Sequence, residues 1–340
     1  MGSDDPAVSR RGDAALSRPR APQPLGRTAL LASGEPSTSP GRSGAMATQS
    51  EKAESFRALH HQTGPFVLPN AWDVPSARIF EDAGFPAIAT SSAGMMVSLG
   101  YPDGQGLPRR DLVAAVARIA GRLSVPLSAD VVAGYGRGPK EVARFVGRIL
   151  DAGAIGINLE DQDPDSHELY RVPAQLRKIR AIRELAGQRG IPLVLNARTD
   201  ALHRAPGEPD ARLREAIRRA VAYRDAGADC VYPMGLTDAA SIETFVRELA
   251  CPVNVMVRRG LPSLAELARL GVKRVSFGPA ASYAAMGLLR RAGQEILERG
   301  SFDGLLEGAI SHDDLNALAR PRLASEGAAA APQVPGHGRG

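Results

Sequence analysis

Leu127-Ser128-Ala129-Asp130-Val131-Val132-Ala133-Gly134-Tyr135-Gly136 joins an apolar run to a carboxylate and then to a Gly-Tyr-Gly turn. A buried parallel strand that delivers an acid to the mouth of an α/β fold has this form. Two later stretches repeat it: Ile155-Gly156-Ile157-Asn158-Leu159-Glu160-Asp161, and Leu193-Val194-Leu195-Asn196-Ala197-Arg198-Thr199-Asp200. If these strand ends converge, acids and an arginine share one pocket. That combination points to a divalent metal beside an anionic substrate.

Outward from this stretch a rhythm emerges. Asp82-Ala83-Gly84, Asp151-Ala152-Gly153, Asp225-Ala226-Gly227 and Leu270-Gly271 each precede a β-rich run. Glycine ends a helix where the chain needs a left-handed residue, so each joint marks an αβ junction of a repeating βα unit. The joints predict strands at roughly 66–69, 87–91, 126–130, 155–160, 192–197, 229–233, 252–257 and 274–278. Helical patterns lie between them, and another follows at 280–298 with Ala281, Ala284, Ala285, Leu288 and Leu289 on one side. Eight βα units predict a (β/α)8 TIM-type barrel. A doubly wound sheet is the alternative, but no GxGxxG opens the first unit.

The expected domain runs over 49–319, between an unstructured extension at 1–48 and a tail at 320–340. The first 48 residues are rich in Ser, Pro, Gly and Arg and cannot bury a core. Six arginines oppose four acids in residues 1–45, so much of the +5 net charge sits at the ends rather than on the expected barrel. That distribution gives no case for nucleic-acid binding. No apolar run approaches the ~18–20 residues of a membrane span. No apolar segment of signal-peptide type follows Arg10 and Arg11. Cys230 and Cys251 are too few for a disulfide framework and read as reduced, buried and structural, which fits the cytoplasm.

In a barrel the active site lies at the C-terminal ends of the strands. Asp103, in the loop after the second strand, joins Asp130 and Glu160 in an oxygen-only set that selects a hard ion, Mg2+ or Mn2+. Arg198 is placed to clamp a substrate carboxylate with two parallel hydrogen bonds. Ser91, Ser92 and the amides after them could hold a second anionic group, and the seventh strand contains Asn254. Each acid has a plainer reading as a cap or ion-pair partner, and Arg198 could pair with Asp200 or Glu160. Asp73 reads either as the cap of the following helix or as a pocket residue. His60, His61, His203 and His312 show no zinc spacing and read as surface or helix-face residues.

Five motifs in order resemble the isocitrate lyase/phosphoenolpyruvate mutase superfamily. They are Ser-Leu-Gly-Tyr-Pro-Asp-Gly (98–104), Ala-Asp-x-x-x-Gly-Tyr-Gly (129–136), Gly-Ile-Asn-Leu-Glu-Asp (156–161), Asn-Ala-Arg-Thr-Asp-Ala (196–201) and Val-Ser-Phe-Gly-Pro-Ala (275–280). The resemblance implies a modified (β/α)8 barrel whose eighth helix is exchanged with a neighbouring subunit, giving a homodimer or homotetramer. It implies Mg2+ and small 2-oxo-acid-like substrates, and C–C or P–C bonds made or broken beside an enolate. Asp130 then resembles the direct metal ligand, with Asp103 and Glu160 as supporting acids. Arg198 resembles the substrate-carboxylate arginine. Ser91, Ser92 and Ala93 resemble the loop around the pyruvyl end, and Asn254 joins them as a substrate residue.

Two departures narrow this. The lyase branches carry a Lys-Lys/Arg-Cys-Gly-His gate where this chain reads Gln162-Asp163-Pro164-Asp165-Ser166-His167-Glu168-Leu169-Tyr170. The mutase branch's loop lysines and asparagine are absent too, and the acidic version resembles the carboxyvinyl-carboxyphosphonate phosphorylmutase-like subgroup. His167 reads either as a substitute acid/base or as an exposed loop residue. A second acid usually follows two residues after the metal aspartate, and here that position is Val132. The expected function is Mg2+-dependent C–C cleavage of a small 2-oxo or 2-hydroxy carboxylate through a metal-bound enolate. P–C chemistry and a catalytically weak carboxylate-binding homologue are the alternatives.

Overall fold

A computed structural model describes residues 47–320. All but a few residues of the expected extension and tail lie outside the described residues. The chain opens with α1 (Gln49–Leu59), β1 (Phe66–Leu68), β2 (Asn70–Ala71), α2 (Val74–Asp82), β3 (Ile88–Thr90) and α3 (Ser92–Ser98). It continues through α4 (Arg109–Ala120), β4 (Leu127–Asp130), α5 (Pro139–Asp151), β5 (Gly156–Glu160), α6 (Val172–Gln188), β6 (Val194–Thr199) and α7 (Ala201–Arg204). Then come α8 (Pro209–Asp225), β7 (Cys230–Pro233), α9 (Ala239–Leu249), β8 (Asn254–Met256), α10 (Leu264–Arg269) and β9 (Arg274–Ser276). The last elements are α11 (Ala280–Arg299), α12 (Asp303–Leu306) and α13 (His312–Ala319).

All strand pairs are parallel, as the alternation of strands and helices requires. One sheet has the order β2-β3-β4-β5-β6-β7 and the other β1-β9-β8. An isolated parallel bridge joins Val231 of β7 to Val253, just before β8. The expected strand over 66–69 is divided at Pro69, which has no N–H to give to a ladder. Asn70 works on both sides of that break. Its Nδ2 donates to Thr90 O at 2.8 Å, and its Oδ1 accepts from the amides of Phe277 and Gly278 at 2.9 Å.

The period-two alternation of the strands sorts the side chains. Ile157 and Leu159 of β5 and Leu195 and Ala197 of β6 join the large core with the helices. On α5, Val142, Phe145, Val146 and Ile149 give the i, i+3, i+4, i+7 stripe that packs there. The intervening strand residues, Asn158, Glu160, Asn196 and Arg198, line a cavity instead. A smaller apolar cluster, with Phe56 of α1 against Phe66, Leu68, Ala87, Ile155 and Val194, adjoins the cavity through its member Ala89, on the side we call the floor. Burying one such ring contributes about 1.5–3 kcal/mol. Gly156 makes room for it, because a Cβ there would stand 2.7 Å from Phe56 Cε1 and 3.0 Å from Ser128 Oγ.

Two expectations change, and the capping reading of Asp73 holds. His60 is buried, packed edge-on against Phe56 and Phe66. Cys251 is only half-buried, although Cys230 is fully so. Asp73 caps α2, its Oδ1 accepting from Ser76 N at 2.8 Å. On α11 only Ser282 and Ala292 are buried, while Tyr283, Met286, Leu288, Leu289 and Leu297 are exposed. Among the described residues no helix is long and apolar enough to cross a membrane.

Candidate active site

Strand register builds the site in rungs. Asp130 of β4 lies opposite Asn158 of β5, which lies opposite Asn196 of β6. Two residues on, Glu160 lies opposite Arg198, and Arg198 opposite Tyr232. Because alternate residues share a face, each rung projects its side chains into the same space. The cavity they line holds about 390 Å³, within the range of small-molecule sites. Ser91, Ser92, Ala93, Asp103, Asp130, Glu160, Arg198 and Asn254 all border it.

Three N–H groups converge on the Asp130 carboxylate. Asn158 Nδ2 and Val132 N donate to Oδ1 at 3.1 and 3.3 Å, and Ser92 N donates to Oδ2 at 3.2 Å. Asn196 Nδ2 steadies Asn158 at 2.9 Å. The Ser92 amide is therefore committed to Asp130. The Ser91 hydroxyl caps α3, accepting from Gly94 N at 3.2 Å. Asn254 is hydrogen-bonded to Ser276 through its amide.

Arg198 is shared between two acids. Its Nη1 donates to Glu160 Oε1 at 2.6 Å, while Nε and Nη2 fork onto Asp200 at 2.9 and 2.8 Å. Burial pushes the Glu160 carboxyl well up. The Arg198 cation opposes this, and the Asp130, Asp200 and Asp103 charges add to it. Asp103 sits on the exposed rim. Desolvation raises its carboxyl, the Gly104 amide opposes, and the Asp130 charge adds to the rise. Among the described residues no three His, Cys, Asp or Glu groups are arranged to hold a metal between them.

Asp161 turns the other way. It is fully buried and accepts from Thr199 Oγ1, Tyr223 Oη, Arg219 Nη1 and the Asp200 amide at 2.8, 2.7, 3.2 and 2.9 Å. It fastens the end of β6, and with it Asp200. His203 is exposed, as expected, and also borders the cavity. His167 borders the cavity from an exposed loop, at a left-handed φ of 58°. The supporting residues Asn158, Asn196 and Asp200 were visible to an alternation count, since each shares a strand face with Glu160 or Arg198.

A profile for phosphoenolpyruvate phosphomutase matches residues 56–297. The chain belongs to this family. An uncharacterised protein of Mycobacterium tuberculosis is 39% identical over 224 residues, 66% of this chain and 81% of its own. Oxaloacetate decarboxylase of Pseudomonas aeruginosa is 30% identical over 250 residues, covering 71% and 83% of the two chains. The crystal structure of 2,3-dimethylmalate lyase, a phosphoenolpyruvate mutase/isocitrate lyase superfamily member, matches with a TM-score of 0.70. Its identity is 28%, over 81% of this chain and 95% of that one. This member of the phosphoenolpyruvate phosphomutase family is thus an enzyme among lyases and mutases.

Proposed function

We propose that this enzyme cleaves a C–C bond of a small 2-oxo or 2-hydroxy carboxylate, with Mg2+, or Mn2+ in its place, at Asp130. The observation that carries this reading is the placement of Arg198 in the same cavity as Asp130 with part of its guanidinium uncommitted. A guanidinium has five N–H donors. Two remain after Asp200 and Glu160 are served, and these would hold the substrate carboxylate. Asp200 and Glu160 fix the plane of the clamp before a ligand arrives.

The donor set fits a hard cation. It is oxygen-only, and beyond desolvation the Asp130 charge adds to the rise of both Asp103 and Glu160, a repulsion that a cation would relieve. Mg2+ keeps several waters and needs few direct protein ligands. Asp130 would therefore bind it directly, with Asp103 and Glu160 reaching it through water. Such an ion supplies Lewis acidity at a substrate carbonyl oxygen. Asn158, Ser92 and Val132 orient Asp130, Asn196 holds Asn158, and the Phe56 floor excludes water from below. Ser91, Ala93 and Asn254 shape the wall around the substrate.

We read the two sheets as one (β/α)8 barrel over 49–319, with β1 and β2 as a single first strand interrupted at Pro69. The exposed apolar face of α11 supports its exchange with a second copy in a homodimer or homotetramer. The two unpaired thiols support a cytoplasmic setting.

The test incubates oxaloacetate, substituted malates and phosphonopyruvate with and without Mg2+ and follows product release. Mg2+-dependent C–C cleavage that Asp130→Asn abolishes is the expected result. Unchanged turnover in Asp130→Asn would sink the metal-centred reading, and turnover of phosphonopyruvate alone would replace it with P–C chemistry.

A further inference from the structure

Arg274 opens β9 and is only 2% exposed. Its strand neighbours are Phe66 on β1 and Asn254 on β8, so it stands at floor level. The Phe56 ring centroid is 6.0 Å from its guanidinium carbon. His60 is close by, and burial drives its imidazole down to about 3, so it is neutral. Neutral His60 does not answer a positive charge, and the Phe56 ring offers it a cation–π contact but accepts no ion pair. Among the described residues, Arg274 Nε and Nη1 are buried with no hydrogen-bond partner. A buried cation without a partner is costly, and so is each unmade hydrogen bond.

Two further polar atoms are orphaned beside the same cavity, Ser128 Oγ and Asn196 Oδ1. Ser128 also sits over Phe56, since a Cβ on Gly156 would meet both of them within 3.0 Å. Arg274, Ser128 and Asn196 all line the cavity that holds Arg198. The contrast with Arg198 is instructive. That guanidinium has acids on two sides, whereas Arg274 has unanswered donors and a route to the same ligand.

We propose that Arg274 and Ser128 form a second anion subsite at the floor of the cavity, which takes the second carboxylate of a dicarboxylate ligand. Asn196 Oδ1 then accepts from a hydroxyl or water on that ligand. The assignment of the first carboxylate to Arg198 rests on the function proposed above. The floor site rests on the orphaned donors.

Calorimetry with Mg2+ present compares succinate with butyrate, acids of equal chain length that differ by one carboxylate. Wild type is expected to bind succinate about 10-fold or more tightly, as a charged hydrogen-bonded contact allows. Arg274→Met removes that preference and leaves butyrate affinity in place, and Arg274→Lys keeps part of it. Equal affinity for the two acids in the wild type overturns the proposal, as does equal weakening of both in Arg274→Met. The wild-type comparison stands even if the variant does not fold. Chloride that competes with succinate and not with butyrate supports the subsite and shows that a free inorganic anion also fills it. Arg198→Met separates the two readings. If it leaves both acids unaffected, the Arg198 clamp fails, while the Arg274-dependent preference is still there to be read.

Discussion

The guanidinium of Arg198 holds both carboxylate oxygens of Asp200, two residues further along the same chain, at 2.9 and 2.8 Å. Asp200 is pinned in turn through its amide to buried Asp161. If Arg198 is the proposed clamp, it is aimed before any ligand binds, which would spare the cost of ordering it on binding. Asp200→Asn keeps the shape and loses the charge. We expect kcat/KM to fall about 10- to 100-fold, the range of a hydrogen bond to a charged group. The loss should appear mainly in KM, and steady-state kinetics of Asp200→Asn beside Asp200→Glu would read it.

Val132 adopts a left-handed backbone, with φ of 50°, beside the Asp130 carboxylate. A β-branched residue there stores about 1–3 kcal/mol of strain. Val132→Glu removes the branch and adds an oxygen donor at the position where the resemblance expects an acid. Mg2+ affinity should rise several-fold by calorimetry and the melting temperature should not fall. Unchanged or poorer affinity would show that Val132 does not limit the site.

Tyr223→Phe deletes one of the four hydrogen bonds that satisfy buried Asp161. A charged hydrogen bond of this kind contributes about 1.5–3 kcal/mol. Chemical denaturation should show that loss, and Mg2+ affinity should barely move. A large drop in metal affinity with normal stability would place Asp161 in the site after all.

Lys178 is buried on α6, its Nζ 3.3 Å from Ala133 O and 3.6 Å from the centre of the Tyr170 ring. Burial lowers its ammonium from 10.5 to about 8, against the raising influence of Asp163 and Asp161. Between these values the folded chain binds fewer protons than the unfolded chain. Its contribution to stability therefore improves as pH rises through that window, and is at its worst below about 8. Lys178→Met should flatten this slope by on the order of 2 kcal/mol. Paired melts of wild type and variant, from neutral to alkaline pH, would reveal it. Parallel curves would refute the assignment.

Much of the architecture was legible because glycine leaves a mark. The Asp-Ala-Gly joints placed β5 and β7, and the apolar runs ending in Asp130, Glu160 and Arg198 placed the cavity-lining residues. Short elements escaped. Helix α3 has no polar-apolar period over its seven residues, and only the Ser91 cap announces it. The burial of His60 depends on Phe56 and Phe66, which the fold brings beside it on two elements. Arg274 reads as an ordinary strand-opening residue until β1 and β8 lie on either side of it.

The floor helix α1 has a consequence for synthesis. Gln49 donates to Leu150 O and Ala154 O, 101 and 105 residues downstream, and Arg57 reaches Leu193 O, 136 residues away. Contacts of such long range form late, because the intervening chain must be brought together before they stabilise anything. Helix α1 leaves the ribosome ahead of every other described element and is among the last to be seated. Until then Phe56 has only the nearby His60 and Phe66 rings of its own chain against it, and a nascent-chain chaperone would find the rest of its apolar surface there.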